Sequence, residues 1–168
     1  SASSNVTGTT SNSTHTYDAT KSLSKNNYYL KGWTFVGWSK VKNGTVAYTD
    51  GQEVKNLTSI DGDTVTLYAI WRANTYKVSY NANQPKNASK TVRGSVLDTT
   101  HTYDVSSNLR NNAYSLTGWT FTGWSTNPDA SVAEYKDKAS VKNLIDSNGE
   151  VVTLYAIWKA NTYSIAYD

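Results

Sequence analysis

Polar and apolar residues alternate strictly from Thr75 to Tyr80. Tyr76, Val78 and Tyr80 fall on one side, Lys77 and Ser79 on the other. A period of two sends alternate side chains to opposite faces, so this stretch predicts a half-buried strand. Thr34 to Trp38 is dense in β-formers and predicts a second strand. Asn43-Gly44 follows as a turn signal, with Thr45 to Tyr48 as the partner strand. Asp50-Gly51 marks a turn before Val54 to Leu57, and Asp61-Gly62 introduces a strand over Thr64 to Trp71. Leu67 to Trp71 is apolar at every position, which predicts a central strand covered on both faces. Tyr17 to Leu23 lacks this pattern and reads as a short helix with Asp18 as its N-cap. Leu23, Tyr28 and Leu30 are expected to fold that segment onto the sheet.

The same pattern occurs twice. His15-Thr16-Tyr17-Asp18 recurs as His101-Thr102-Tyr103-Asp104, an offset of 86 (101 − 15). Gly32-Trp33-Thr34-Phe35 recurs as Gly118-Trp119-Thr120-Phe121, and Gly37-Trp38-Ser39 as Gly123-Trp124-Ser125. Leu23, Tyr28 and Leu30 recur as Leu109, Tyr114 and Leu116. Val65 to Trp71 recurs as Val152 to Trp158, now at an offset of 87 (158 − 71). One residue is therefore inserted in between, near Asn127-Pro128-Asp129, which implies a tolerant surface loop. A period this long exceeds that of solenoid repeats, so each unit is expected to fold by itself. The reading is α+β, mostly β. Each unit is a four- to five-stranded sheet with one short helix or coiled crossover. The joint Arg72-Ala73-Asn74 contains no Gly-Ser run and predicts a semi-rigid pair.

Composition fits this organisation. With 168 residues, each unit can bury only a modest core and needs large side chains to do so. Six Trp and thirteen Tyr, against two Phe, supply them. There is no Cys, so no disulfide braces either unit. The absence of Met, an initiator included, suggests an internal fragment of a longer protein. No apolar run approaches the ~20 residues of a membrane span, so no membrane insertion is expected. The net charge is +3 and the Lys and Arg are scattered, which argues against nucleic acid as a partner.

Three motifs together resemble the Listeria–Bacteroides repeat, also known as the B repeat of internalin-type surface proteins. They are Gly-Trp-Thr-Phe-x-Gly-Trp, Val-Thr-Leu-Tyr-Ala-Ile-Trp and Asn-Thr-Tyr-x-x-x-Tyr, each present twice, and the resemblance covers nearly the whole chain, twice. The resemblance implies a β-grasp-like fold, exposure at the bacterial cell surface or secretion, and arrays in large proteins of Firmicutes and their relatives. A Cys-free chain suits such Gram-positive cells. The family often has Asn-Ala-Asn-Gly-Gly after the Asn-Thr-Tyr strand, whereas this chain has Asn81-Ala82-Asn83-Gln84-Pro85. Two ways of counting stay open. Modules at 1–73 and 74–160 follow if the Asn-Thr-Tyr strand opens a unit. The first module then lacks its opening strand, and 161–168 opens a further repeat. If that strand closes a unit, 161–168 belongs to module two. On the first count a neighbouring chain's terminal strand can fill the vacancy by β-addition; otherwise a monomer is expected.

The residues offer little chemistry. Trp33, Trp38 and Trp71, with Trp119, Trp124 and Trp158, invite stacking on sugar rings, but a small core needs the same groups. Trp38 and Trp71 look most core-like; Trp33 and Trp119 remain the candidates for ligand stacking. One His per unit, His15 and His101, cannot complete a zinc site without further ligands. Asp18, Asp50 and Asp61 lack calcium-loop spacing and read as cap and turn residues. No Ser or Thr sits in a nucleophile-elbow pattern, and the shared residues are mostly aromatic, Gly and aliphatic. No catalytic residue, metal or cofactor is assigned. Lys55-Asn56 and Lys142-Asn143 recur, but neighbours in sequence lack the geometry of a Lys–Asn crosslink across a core. The expected role is a stalk or spacer repeat for adhesion, contacting neighbouring modules of its own chain. The alternative is a module that binds glycan or host protein through exposed aromatics.

Overall fold

The structure is a computed structural model that describes residues 5–168. The chain divides into two compact units, Ser1–Asn74 and Thr75–Asp168. Among the described residues all regular structure is β, in several small sheets, and the predicted short helix is absent. The class is mostly β rather than α+β.

Unit 2 has the larger sheet. Strands β5 (Thr75–Asn81), β6 (Thr99–Thr102), β8 (Trp119–Ser125) and β10 (Val151–Ala160) lie in the order β6-β5-β10-β8. The central pair β5–β10 is parallel, and β5–β6 and β10–β8 are antiparallel. Strands β7 (Ser107–Asn108) and β9 (Ser140–Val141) form a separate antiparallel pair. The alternation read from sequence is obeyed: Tyr76, Val78 and Tyr80 are buried while Thr75, Lys77 and Asn81 are exposed. Those three join Leu109, Trp124, Val141, Leu154 and Ala156 in one core. Leu154, Ala156 and Ile157 are buried, so β10 is central, as the apolar run suggests.

Unit 1 is built from the same sequence pattern but carries fewer strands. It contains β2 (Trp33–Ser39) paired antiparallel with β4 (Tyr68–Ala73), and β1 (Lys21–Ser22) paired antiparallel with β3 (Glu53–Val54). A four-stranded sheet is therefore met only in unit 2. Unit 1 has no counterpart of β5 among the described residues. As a result β4 has one paired edge, its side chains are at best half-buried, and the central-strand expectation fails there.

The predicted helix fails at Asp18. Asp18 takes a left-handed backbone (φ 63°), and a turn bonds the Ala19 N–H to the Thr16 carbonyl (3.2 Å). Asp tolerates this region because its short polar side chain can bond nearby groups. Lys21–Ser22 then runs as β1. The hydrophobic anchors behave as expected: Leu23, Leu30, Leu109 and Leu116 are all buried.

The Gly-Trp motif is explained by a β-bulge. In β2 the register shifts between Phe35 and Gly37, and β10 shifts against β8 at the equivalent place. The extra residue brings Phe35 and Trp38 together, with ring centroids 5.0 Å apart, edge to face. In unit 2, Phe121 and Trp124 lie 4.9 Å apart in the same way. Gly37 (φ 147°) and Gly123 (φ 142°) sit where L side chains are strained. A Cβ on Gly37 would lie 2.6 Å from the Tyr48 carbonyl oxygen. That carbonyl accepts the Trp38 N–H at 2.8 Å, so the crossing segment cannot withdraw.

In the loop after β5, where Gln84 and Pro85 stand at the family's two glycine positions, side-chain bonds hold the backbone. Asn83 adopts φ 46° and donates from Nδ2 to the carbonyls of Pro128 (2.9 Å) and Ala156 (3.0 Å). Gln84 donates to the Lys90 carbonyl (2.9 Å) and accepts the Val92 N–H (2.7 Å).

Trp124→Ala, at a fully buried position, should cost unit 2 about 3–5 kcal/mol in urea denaturation. Gly123→Ala should cost about 1–3 kcal/mol from backbone strain, with the crossing segment's contact adding to it. An unchanged midpoint for either variant would contradict this account of the core.

Candidate functional site

Trp33 and Trp119 open β2 and β8, where each backbone N–H donates to a leucine carbonyl, Leu30 at 3.0 Å and Leu116 at 3.1 Å. Both indoles are half-buried and lie outside the two core clusters. Trp38 and Trp124 are buried in those clusters. Trp71 is half-buried against Phe35 (5.7 Å), and Trp158 is likewise half-buried against Phe121 (5.8 Å). Trp158 Nε1 donates to the Ala82 carbonyl (2.8 Å). Trp71, expected in the core, thus lies at its margin, and only Trp38 and Trp124 are fully enclosed.

A second constellation recurs that sequence reading had left in pieces. Asp18 N–H donates to Asn56 Oδ1 (2.6 Å), Asn56 Nδ2 donates to Asp18 Oδ1 (2.9 Å), and Lys55 Nζ lies 3.6 Å from the same carboxylate. Asp104, Asn143 and Lys142 repeat it at 2.6, 3.0 and 3.5 Å. Each Asp–Asn pair ties the turn before the short strand pair to the residues just after it. The Lys contacts are exposed on at least one side, so the ion pairs add little. The available signal was that Lys-Asn and, far from it in sequence, His-Thr-Tyr-Asp each recur in both copies. Asp50 lies in a turn, as expected, and its carboxylate also accepts the N–H of Asn26, 24 residues away (2.8 Å).

Of the two histidines, His15 is half-exposed and bonds Ser13 Oγ through Nε2 (2.8 Å). His101 is buried in β6, stacked on Tyr76 with centroids 5.5 Å apart. Its Nε2 pairs with Thr99 Oγ1 (2.9 Å), and Nδ1 has no hydrogen-bond partner. Burial without a counter-charge pushes its pKa below the ordinary 6.5. Glu134 shifts down as well, chiefly because it accepts the Thr126 N–H, with hydroxyl bonds from Thr126 and Ser125 adding to this against a smaller burial effect. Burial pushes the Tyr114 and Tyr135 phenols up. Among the described residues no three His, Cys, Asp or Glu side chains gather as a metal-holding group. Nor is any helix there long and apolar enough to cross a membrane.

The lowered His101 pKa fixes a pH dependence. The unfolded chain takes up a proton near pH 6.5 that the folded unit refuses. His101 therefore supports unit 2 fully above that pH and progressively less below it. Thermal melts of unit 2 should fall between pH 7.5 and 5.5, and His101→Gln should flatten that part of the profile. An unchanged slope in the variant would refute this assignment.

Comparison with known proteins agrees with the internal repeat. A protein of Evansella cellulosilytica named "Putative Gly-rich membrane protein" is 29% identical over 139 residues, which cover 82% of this chain. The match spans 15% of that protein's own length. No solved structure matches the chain significantly. The model of the Listeria-Bacteroides repeat domain matches twice, over residues 3–70 and 76–157, and the chain belongs to that family.

Proposed function

We propose that the chain is a tandem stalk segment of a large bacterial surface protein, holding an adhesive domain away from a Gram-positive cell wall. The observation that carries this is what the two copies share. The bulge with its Gly-Trp, the leucine anchors and the Asp–Asn–Lys ties all have folding roles. The same observation favours a non-enzymatic role. Consecutive residues at the joint are each held in their own unit: the Asn74 N–H bonds the Gly32 carbonyl (2.9 Å), and the Thr75 N–H bonds Asn148 Oδ1 (3.0 Å). Such a joint suits a spacer. The order β6-β5-β10-β8 with a parallel centre supports a β-grasp-like unit whose crossover is coil and a two-stranded pair instead of a helix. The name of the Evansella relative and its far greater length support placement at the cell surface within a larger chain.

A second reading, a glycan- or host-protein-binding module, rests on Trp33 and Trp119. Both are half-exposed, at equivalent places, and outside the cores. Two measurements separate the readings. Antibodies against the chain should label intact cells expressing the parent protein. Tryptophan emission should not change when cell-wall or host polysaccharides are added. Labelling only after permeabilisation would overturn surface placement. Quenching by a polysaccharide that disappears in a Trp33→Ala/Trp119→Ala double variant would favour the binding module.

A further inference from the structure

Asn-Gly occurs twice in the chain, at Asn43-Gly44 and Asn148-Gly149. The pair is reactive because Gly has no Cβ to keep the preceding side chain from its nitrogen. That nitrogen can attack the Asn side-chain carbonyl carbon. The new C–N bond closes a cyclic imide and the bond to the side-chain nitrogen breaks. Ammonia leaves, taking the proton of the Gly N–H. Water then adds to one of the two imide carbonyls and opens the ring to Asp or isoaspartate. No oxidant or cofactor takes part. Both Asn residues are exposed and both lie in turns, so only their hydrogen bonds tell them apart.

In unit 1 the Gly44 N–H is held within its own turn, by the Val41 carbonyl (2.9 Å), and the Asn43 side chain makes no hydrogen bond among the described residues. In unit 2 a single residue holds both reacting groups. Asn148 Oδ1 accepts the Thr75 N–H (3.0 Å), and the Gly149 N–H donates to the Thr75 carbonyl (2.7 Å). The side-chain carbonyl is thus turned toward β5 and away from attack, and the Gly149 nitrogen is committed as a donor. The next bond follows at once, from the Lys77 N–H to the Glu150 carbonyl (2.9 Å), and Val151 then lies opposite Lys77. The Asn148 amide is therefore the first rung of the parallel β5–β10 ladder, supplied by a side chain. The guard is this ladder and not crowding, since a Cβ on Gly149 would meet no atom within 4 Å.

We propose that Asn148-Gly149 is a gated modification site, converted to Asp or isoaspartate only while the start of β5 is detached from β10. Such detachment is a local opening, and its population sets the rate of conversion. Tyr76 is the clasp at this end of β5. It is buried, stacked on His101, and its Oη accepts the Leu144 N–H (3.4 Å). Conversion also changes the ladder. Isoaspartate routes the main chain through the former side chain and adds a methylene to it. The spacing that lets Oδ1 and the Gly149 N–H both face Thr75 is then lost. The new carboxylate joins Asp146 and Glu150 in one short stretch, and like charges at close range repel. The modified site keeps a lasting trace of opening and resists reclosure.

The test is peptide mapping by mass spectrometry after the full chain is incubated at mildly alkaline pH, with and without urea. In the folded chain Asn148 should convert at least about tenfold more slowly than in urea, and more slowly than Asn43. Tyr76→Ala should raise the Asn148 rate toward its urea value and leave Asn43 in the other unit unchanged. If that variant unfolds unit 2 outright, the same acceleration is expected, and the folded parent against urea remains the deciding comparison. Equal Asn148 rates in the folded chain and in urea overturn the proposal, as does a folded chain in which Asn148 outpaces Asn43. A Tyr76→Ala chain whose Asn148 stays as slow as in the parent, or whose two sites accelerate alike, also overturns it.

Discussion

The parallel ladder between β5 and β10 is the constraint on which the larger sheet depends. A strand contributes to a small core only when its backbone is paired along its length and one face is dry. β5 meets both conditions, with Tyr76, Val78 and Tyr80 inward and β10 and β6 on its two edges. Burying each such side chain contributes roughly 1.5–3 kcal/mol, a large share of a small unit's margin. With β5 present, β10 extends to ten residues, β6 finds a partner and His101 is enclosed. Without a counterpart in unit 1, the shared His-Thr-Tyr-Asp stretch remains irregular and His15 is half-exposed.

This contrast marks how far the sequence could be read. The repeat, the β5 alternation, the leucine anchors and the division of Trp38 and Trp124 from Trp33 and Trp119 depend on nearby residues or on self-comparison, and both are visible in the chain. The helix expected at Tyr17 to Leu23 fails because the bond that fixes Asp18 comes from Asn56, 38 residues away. The central position expected of Leu67 to Trp71 holds in unit 2 and fails in unit 1, although the two stretches are alike. Pairing belongs to the partner as much as to the strand, and composition cannot show whether the partner is present. In the loop after β5, Gln84 stands at a glycine position of the family pattern and its side chain bonds the backbone at Lys90 and Val92.

Of the candidate site, the equivalence and partial exposure of Trp33 and Trp119 were legible in the sequence. Asp18, Lys55 and Asn56 were each noticed for another reason, and only the folded chain brings them together. The buried His101 was hidden for a similar cause: its burial comes from Tyr76 across the ladder, 25 residues earlier (101 − 76).

The parallel arrangement of β5 and β10 has a mechanical consequence. These strands lie side by side, and they contain the residues where a pull along the chain would enter the second unit and leave it. Tension applied at Thr75 and Ala160 drags the two strands past each other lengthwise. Their bridging bonds are then strained together, in shear, instead of being peeled open one at a time from an end. Rupture requires many bonds to fail at once, so the rate of forced opening is set by a steep barrier.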